Sequence, residues 1–266
     1  MKGLQGKVAL CSGAARTGGL GFGILDRFGE AGCKLVVTDL PHMLADASAV
    51  NESSFDVLKS KGYDVIALPC DVTVEKDVTD CIEAVIAYFG SVDIVVNNAA
   101  IGDIIKPITE LSLEQWRKVI DVNLTGAFLL CREAGRVMAP GGAIINIASQ
   151  AAKTGFRQMA PYVSSKHGMI GLTRSAAIDL GSQGIRVNAV CPNHVTTDMG
   201  RAQSEYFSAL RGMSPEDYRR GIAERVPLGR VGTPADTAAA VVFLASDEAQ
   251  FITGEAINVS GGEEMH

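Results

Sequence analysis

Tyr162 and Lys166 stand four residues apart, in a segment whose pattern predicts a helix over residues 160–180. Side chains four residues apart share one face of a helix. A tyrosine phenol normally keeps its proton to a pH of ~10, and a nearby ammonium favours the phenolate and so lowers that pKa. The pair could therefore supply a general acid or base near the working pH. Because this spacing also occurs by chance on solvated helix faces, the assignment depends on the rest of the chain.

Short β-branched runs alternate with longer helical patterns along the 266 residues. This alternation indicates right-handed βαβ units, and the nearly continuous apolar strands indicate a parallel sheet buried on both faces. The predicted strands cover residues 7–11, 34–39, 64–68, 93–97, 143–148, 185–190 and 256–259. The predicted helices cover residues 23–30, 75–89, 113–138, 160–180 and 235–245. With no linker or repeat, the sequence predicts one α/β domain over residues 1–266, a Rossmann-like, doubly wound parallel sheet of about seven strands with helices on both faces.

Composition and charge narrow the function classes. Hydrophobic residues make up 47% and charged residues 20% of the chain, and the net charge of -6 comes without a long basic run, which argues against a nucleic-acid partner. The sequence shows no signal-peptide pattern, and no apolar run approaches the ~20 residues of a membrane span. We therefore expect a cytoplasmic protein with no membrane association. Six scattered cysteines without metal-ligand spacing indicate buried thiols and no metal site: Cys11, Cys33, Cys70, Cys81, Cys131 and Cys191.

A glycine-rich run between the first predicted strand and the helix after it is typical of a dinucleotide-binding loop. Its glycines, Gly13, Gly19 and Gly21, allow a tight turn and a close approach of phosphate, and the helix offers free N–H groups. Asp39 ends the second strand, where a carboxylate would bind ribose hydroxyls and repel a 2′-phosphate. This favours NAD. Arg16 in the loop could pair with that phosphate, which keeps NADP open.

With these residues in view, the whole chain resembles a short-chain dehydrogenase/reductase of the core tyrosine-dependent type. Ser149 lies thirteen positions before Tyr162, which is the family's usual separation. The other matching motifs are Asp71-Val72, the run Asn97-Asn98-Ala99-Ala100 in place of N-N-A-G, Asn123, and the stretch from Pro192 to Thr197 with Asn193 in a glycine position.

The resemblance implies a role for each catalytic position. Tyr162 would exchange a proton with the substrate oxygen, and Lys166 would lower the pKa of Tyr162 and bind the nicotinamide ribose. Ser149 would stabilise charge on the substrate oxygen. Asn123 would hold a water that links Lys166 to solvent. The implied cofactor contacts are Gly13, Arg16, Gly19, Leu20, Gly21, Asp39, Asp71, Val72, Asn98, Ala99, Tyr162, Lys166, Pro192, Val195 and Thr197.

The glycine-rich loop departs from the family pattern. Five residues separate Gly13 from Gly19, so the loop is two residues longer than the usual G-x-x-x-G-x-G. This spacing resembles the divergent enoyl-reductase branch of the family. That branch places its lysine further than four residues from a tyrosine, so the Tyr162–Lys166 spacing argues against membership.

The segment 194–227 is predicted to be irregular and to form a substrate lid, because it follows a strand end where ligand sites open. Gln158, His194 and Tyr206 are candidate substrate contacts. The polar character of the segment favours a polyol, a sugar or a vicinal diol as substrate. An NADPH-dependent 3-oxoacyl-thioester reductase and a non-catalytic nucleotide-binding protein remain alternatives. The resemblance also implies a homotetramer, assembled through residues 113–138, 160–180 and 251–262.

Overall fold

A seven-stranded parallel sheet forms the centre of the protein in a computed structural model that describes residues 1–45 and 53–265. The strand order is β3-β2-β1-β4-β5-β6-β7, and every neighbouring pair is parallel. This confirms the predicted fold class. The strands are β1 (Val8–Ser12), β2 (Lys34–Asp39), β3 (Val65–Pro69), β4 (Ile94–Asn97), β5 (Ala143–Ile147), β6 (Arg186–Pro192) and β7 (Ala256–Val259).

Helices cover both faces of this sheet. Phe28 packs in the core of one face and Leu130 in the core of the other, and both side chains are fully buried. Burial on both faces explains why β1, β4 and β5 contain almost only apolar residues. The helices are α1 (Leu20–Glu30), α2 (Pro41–Ala45), α3 (Ser54–Ser60), α4 (Glu75–Phe89), α5 (Leu113–Ile120), α6 (Gly126–Val137), α7 (Ala160–Gly181), α8 (Asp198–Leu210), α9 (Pro215–Arg225) and α10 (Pro234–Ala245).

The strand order reverses between β1 and β4. The chain steps outward from β1 to β3 on one side and from β4 to β7 on the other. Loops that leave the two central strands therefore diverge and open a crevice at the carboxyl ends of the strands.

The predicted helix over residues 113–138 is interrupted. A π-helical turn (Asp121–Thr125) separates α5 from α6, and Asn123 lies inside it. The Asn123 Oδ1 accepts a hydrogen bond from the Ile101 N–H at 2.8 Å, and its Nδ2 donates to the Ile101 carbonyl at 3.0 Å. We attribute the local widening of the helix to this pair of bonds with another segment. Such π turns commonly mark functional positions in helices.

The segment 194–227 is not irregular as predicted, because it contains α8 and α9. Helix α8 begins where the Thr197 Oγ1 accepts from the Gly200 N–H at 3.2 Å. Helix α9 begins where the Ser214 Oγ accepts from the Asp217 N–H at 3.0 Å, with Pro215 in its first position. These are ordinary helix-start signals, which the sequence analysis did not use. Among the described residues, no helix is long and apolar enough to cross a membrane.

Candidate active site

One cavity of about 1250 Å³ lies at the carboxyl ends of the strands. It extends from the ends of β2 and β3, past the catalytic candidates, to α8 and α9. We call the part lined by Gly13, Gly19, Asp39 and Asp71 the cofactor end. The part lined by Arg157, Gln203, Phe207, Arg211, Tyr218 and Arg225 is called the lid end.

Tyr162, Lys166 and Ser149 all line this cavity between its two ends. Tyr162 and Lys166 lie on α7, while Ser149 comes just after β5. The Lys166 side chain is fully buried, and its Nζ donates a hydrogen bond to the Ile147 carbonyl at 2.7 Å. The same Nζ lies 5.7 Å from the centre of the Tyr162 ring. The four-residue spacing on α7 therefore places both side chains at one site.

The pKa of Tyr162 differs from the sequence expectation. Burial raises this pKa above its usual value, and a hydrogen bond with the Ser149 hydroxyl lowers it by a smaller amount. The Ser149 Oγ already accepts from the Ala151 N–H at 3.1 Å, so its own proton is free for donation to a phenolate. In this structure the counterweight to burial is thus Ser149 rather than Lys166, whose Nζ is turned to a main-chain carbonyl.

Burial also lowers the pKa of Lys166 to about 8. A buried ammonium loses hydration, so its neutral form becomes accessible at a much lower pH than for a surface lysine. An amine that titrates close to neutrality can both give up and take back a proton under working conditions. Lys166 is therefore suited to proton exchange.

Asn123 is completely buried behind these residues. Besides its two bonds with Ile101, its Nδ2 donates to the Ser165 Oγ at 3.1 Å. Both N–H donors of the amide are occupied, which leaves only acceptor capacity for a water molecule. The side chain fixes the π turn against the neighbouring segment, next to the cavity-lining residues Val122 and Thr125.

The cofactor end has main-chain features that suit a dinucleotide phosphate. Gly13 has φ of +66°, and a Cβ there would lie 2.7 Å from the Ala99 Cα. A Cβ at Gly21 would lie 2.8 Å from the Ala14 Cβ and 2.9 Å from the Asn98 Nδ2. No side chain caps α1 at Gly19, so the first N–H groups of the helix remain available to an anion. These residues fit a pyrophosphate.

Asp39 lines the cofactor end with both carboxylate oxygens held by the main chain. Its Oδ2 accepts from the Ala15 N–H at 3.0 Å, and its Oδ1 accepts from the Leu40 N–H at 2.8 Å. Each oxygen retains a further acceptor site, which fits hydroxyl donors such as those of a ribose. Arg16, by contrast, is not among the lining residues, and its Nη2 lies 3.5 Å from the Met43 Sδ.

The glycine-rich loop is held by contacts on both sides. Arg16 forms an isolated antiparallel bridge with Ser53, and the Ser54 N–H donates to the Ala15 carbonyl at 2.9 Å. On the other side, the Asp198 N–H donates to the Gly18 carbonyl at 3.0 Å. The loop therefore connects the start of α3 with the start of α8.

The cavity includes most of the residues predicted to bind ligands. Of the predicted positions, Arg16, Gly21, Asn123, Gln158 and Tyr206 lie outside its lining. The predicted residues that line it are Gly13, Gly19, Leu20, Asp39, Asp71, Val72, Asn98, Ala99, Ser149, Tyr162, Lys166, Pro192, His194, Val195 and Thr197.

The three candidate substrate contacts have different surroundings. His194 lines the cavity, and burial lowers the pKa of its imidazole. Gln158 has a positive φ of 65°, and its carbonyl accepts from the Lys106 N–H at 2.8 Å. Its side chain is not part of the cavity wall. Tyr206 is 40% exposed and also lies outside the wall, with its ring edge against the neighbouring Phe207.

Helix α8 supplies cavity residues that the sequence analysis did not select as substrate contacts. Met199, Gln203, Phe207 and Arg211 line the cavity and follow one another at intervals of four residues. A Cβ added at Gly102 would lie 3.2 Å from both the Gln203 Nε2 and the Tyr162 Cε2, so these groups converge. The four-residue interval is the periodicity of one helix face. It would have revealed this face had the segment been assigned as a helix.

The family and its members can now be compared with this site. A family model described as enoyl-(acyl carrier protein) reductase matches residues 13–264. Galactitol 2-dehydrogenase of Agrobacterium fabrum (strain C58 / ATCC 33970) is 36% identical over 265 residues, which cover 98% of this chain and 99% of that protein. That protein is named for a polyol dehydrogenase activity rather than for an enoyl reductase activity.

Two solved structures share the fold over nearly the full chain. Actinorhodin polyketide ketoreductase with NADPH has a TM-score of 0.88 and 33% identity, and the match covers 100% of both chains. NAD⁺-bound xylitol dehydrogenase has a TM-score of 0.88 and 29% identity, with 98% of this chain and 100% of that chain covered. The first of these neighbours is bound to NADPH, and the second is bound to NAD⁺.

The doubly wound sheet, the phosphate-binding features and the Tyr–Lys–Ser site define an NAD(P)-dependent oxidoreductase. The chain belongs to the short-chain dehydrogenase/reductase family.

Proposed function

We propose that the protein interconverts a secondary alcohol and a ketone of a polyol, sugar or vicinal diol, with NAD as its cofactor and Tyr162 as the general base. The observation that carries this proposal is that Tyr162, Ser149 and Lys166 line the same cavity as Asp39. Similarity to galactitol 2-dehydrogenase and to xylitol dehydrogenase supports the polyol substrate.

The catalytic side chains have complementary tasks in alcohol oxidation. NAD, when bound, supplies the hydride acceptor. Tyr162 takes the hydroxyl proton of the substrate. Ser149 donates a hydrogen bond from its hydroxyl to the substrate oxygen and so stabilises negative charge there. Asp71, Val72, Asn98 and Ala99 line the cofactor end.

Lys166 restores the proton balance in this proposal. Its pKa of about 8 lets it exchange a proton near neutral pH. A water molecule held at the π turn by Asn123, through its remaining acceptor capacity or a main-chain carbonyl, would link Lys166 to solvent. Asn123 could hold this water only through its acceptor groups, because both side-chain N–H donors are already occupied. This narrows the role that the family resemblance implies for Asn123.

Asp39 supports NAD over NADP. A 2′-phosphate beside this carboxylate would place like charges together, whereas ribose hydroxyls would donate to it. The test is the rate of nicotinamide reduction with NAD and with NADP over a panel of neutral and charged polyols. We expect NAD turnover, and Asp39→Asn should narrow the ratio of kcat/KM for NAD over NADP. Turnover with NADP alone would refute the NAD assignment.

An NADPH-dependent 3-oxoacyl-thioester reductase is the second candidate. It is supported by the similarity to actinorhodin polyketide ketoreductase with NADPH and by the presence of Arg16 in the phosphate loop. The two candidates differ in a direct assay. The thioester reductase predicts NADPH oxidation with a 3-oxoacyl thioester and no NAD reduction with polyols.

We also propose that residues 194–227 act as the substrate lid. Helix α8 supports this, because its face from Met199 to Arg211 lines the cavity next to Tyr162.

A cytoplasmic location is proposed on the basis of the cysteines. All six are unpaired and buried, as is usual for a protein in a reducing compartment.

A homotetramer is the proposed assembly. Large apolar side chains are exposed on the segments expected to form it: Phe128 on α6 is 43% exposed, and Ile178 on α7 is 81% exposed. Phe251, in the C-terminal segment, is fully exposed. Subunit contacts on these segments would remove this apolar surface from water, which is favourable. The hydrodynamic mass of the purified protein tests this, and a monomer would contradict it.

A further inference from the structure

Charged side chains are distributed unevenly along the cavity. The cofactor end includes Asp39 and Asp71, which follow β2 and β3 on one side of the sheet. The lid end includes Arg157, Arg211 and Arg225, from the loop before α7 and from the two lid helices. No aspartate or glutamate from this lid region is among the described lining residues.

This excess of positive charge is local. The whole protein has a net charge of -6, so three arginines around one part of a cavity do not reflect the average surface. Several neighbouring arginines outside the main cavity, though not Arg219, are neutralised by carboxylates. Arg201 pairs with Asp198, Arg220 with Asp217, and Arg230 with Asp236.

The cavity arginines are less neutralised. No ion pair joins Arg157 or Arg211 to a carboxylate within residues 1–45 and 53–265. The Arg211 guanidinium lies 5.2 Å from the centre of the Tyr218 ring, which is buried and itself lines the cavity. This stacking orients the guanidinium along the cavity wall. Arg225, by contrast, forms an ion pair with Glu263, whose Oε1 lies 3.3 Å from the Arg225 Nε.

We propose that the substrate carries an anionic group, a carboxylate or a phosphate monoester, which Arg157 and Arg211 bind at the lid end while the reacting carbinol lies against Tyr162. This inference rests on the proposed function and narrows its substrate class to polyhydroxylated acids or phosphorylated polyols. The planar guanidinium fork binds both oxyanions by paired hydrogen bonds.

The dimensions of α8 suit such a substrate. Gln203 marks the Tyr162 side of the cavity, and Arg211 lies eight residues further along the same face, about 12 Å along the helix axis. Helical side chains lean toward the N-terminus of their helix, which brings the Arg211 guanidinium closer to Tyr162. Between them, Gln203 and the half-buried Asn193 offer polar groups to the hydroxyls of a sugar-sized chain.

The experiment compares D-sorbitol, D-gluconate and D-sorbitol 6-phosphate as substrates with NAD at low salt and at high salt. We expect kcat/KM to be about tenfold or more higher for at least one anionic compound, because hydrogen bonds to charged groups are the stronger class. This preference should shrink at high salt, which screens exposed charges. The carboxylate and the phosphate arms show which oxyanion is preferred.

Variants locate the effect. Arg157→Gln and Arg211→Gln should each reduce the preference for the anionic compound, which is the ratio of its kcat/KM to that of sorbitol, several-fold, since exposed charge pairs act modestly. Arg211→Lys should retain part of the preference. Arg219→Gln is the matched control, because Arg219 lies on α9, also without a described ion pair, but outside the lining of the main cavity. It should leave the preference unchanged.

The possible failures are distinguishable. If sorbitol is oxidised with NAD and neither anion is preferred, the anionic-substrate proposal is overturned and the proposed function stands. If nothing in the panel turns over, calorimetry with NAD-loaded Tyr162→Phe protein decides. Binding of gluconate or sorbitol 6-phosphate that Arg211→Gln weakens supports the proposal, and no binding of either compound overturns it.

Discussion

The two ends of the cavity are constructed differently. The cofactor end is formed by strand ends, glycines and main-chain N–H groups, and the carboxylate of Asp39 there is held by two main-chain hydrogen bonds. The lid end is formed by side chains on α8 and α9 and in the loops next to α7 and α8, including the exposed Arg211. A ligand at the first end meets backbone fixed by the sheet. A ligand at the lid end contacts long side chains, so a single substitution there changes the groups that the ligand contacts.

This difference between the two ends explains how relatives can share a nicotinamide-binding fold and differ in their substrates. Backbone geometry tolerates few sequences, as at Gly13, where φ is positive and the Ala99 Cα is too close for a side chain. Positions on a surface helix, by contrast, tolerate many different side chains. The two ends should therefore be functionally separable.

The largest effect on turnover is expected from a substitution at Tyr162, which lies between the two ends of the cavity. Tyr162→Phe removes the group that exchanges the proton, so kcat should fall by about 10³ or more, near the upper part of the range for general acid–base catalysis. The dissociation constant for NAD, measured by calorimetry, should change little. A variant that kept wild-type turnover would show that another group is the base.

Ser149→Ala should follow, with kcat reduced by about 10²-fold, as for the loss of a donor to a developing oxyanion. It should also raise the pKa of Tyr162, because the Ser149 hydrogen bond lowers that pKa. Oxidation requires the phenolate, so the rising limb of kcat/KM against pH should move to higher pH. Ser149→Thr, which keeps the hydroxyl, should leave the limb near its wild-type position. An unmoved limb in Ser149→Ala would contradict the assignment.

Gly21→Ala tests the cofactor end alone. The added Cβ would lie 2.8 Å from the Ala14 Cβ, so the loop or the helix must shift, at a cost of about 1–3 kcal/mol. We expect weaker NAD binding and a lower free energy of unfolding. Gly221→Ala in α9 is the control, because its Cβ would meet nothing within 4 Å, and it should be neutral or stabilising by up to about 1 kcal/mol. Equal effects of the two variants would argue against a steric cause.

The smallest effect is expected at the lid end. Gln203→Ala removes an amide that lies beside Tyr162 but makes only one long hydrogen bond, 3.4 Å from its Nε2 to the Gly102 carbonyl. The KM for the alcohol should rise about threefold, consistent with a net hydrogen-bond contribution of about 0.5–1.5 kcal/mol. The KM for NAD should stay the same. A parallel rise in both constants would mean that the two ends are not separable.

The sequence predicted the sheet and the catalytic positions well, for a physical reason. Strands such as β2 and helix α4 were placed at their observed limits, since apolar runs and helical periodicity record burial directly. Tyr162 and Lys166 meet because the helix period determines their spacing. The resemblance to the family contributed the roles of Ser149 and Asn123, which neither burial nor periodicity reveals.

Three features could not be derived in this way. The π turn at Asn123 depends on hydrogen bonds to Ile101, a residue distant in sequence. The raised pKa of Tyr162 depends on burial by several segments at once. The helices of the lid were missed because their charged surface obscured the four-residue interval between Gln203, Phe207 and Arg211.

The hydrogen bond from the Asp198 N–H to the Gly18 carbonyl joins the phosphate loop to the first turn of α8. One junction therefore belongs to both binding regions. If dinucleotide binding displaces the loop, the lid helix takes part in the change, and the two affinities become thermodynamically linked. Such linkage is reciprocal: the factor by which the dinucleotide tightens alcohol binding equals the factor by which the alcohol tightens dinucleotide binding.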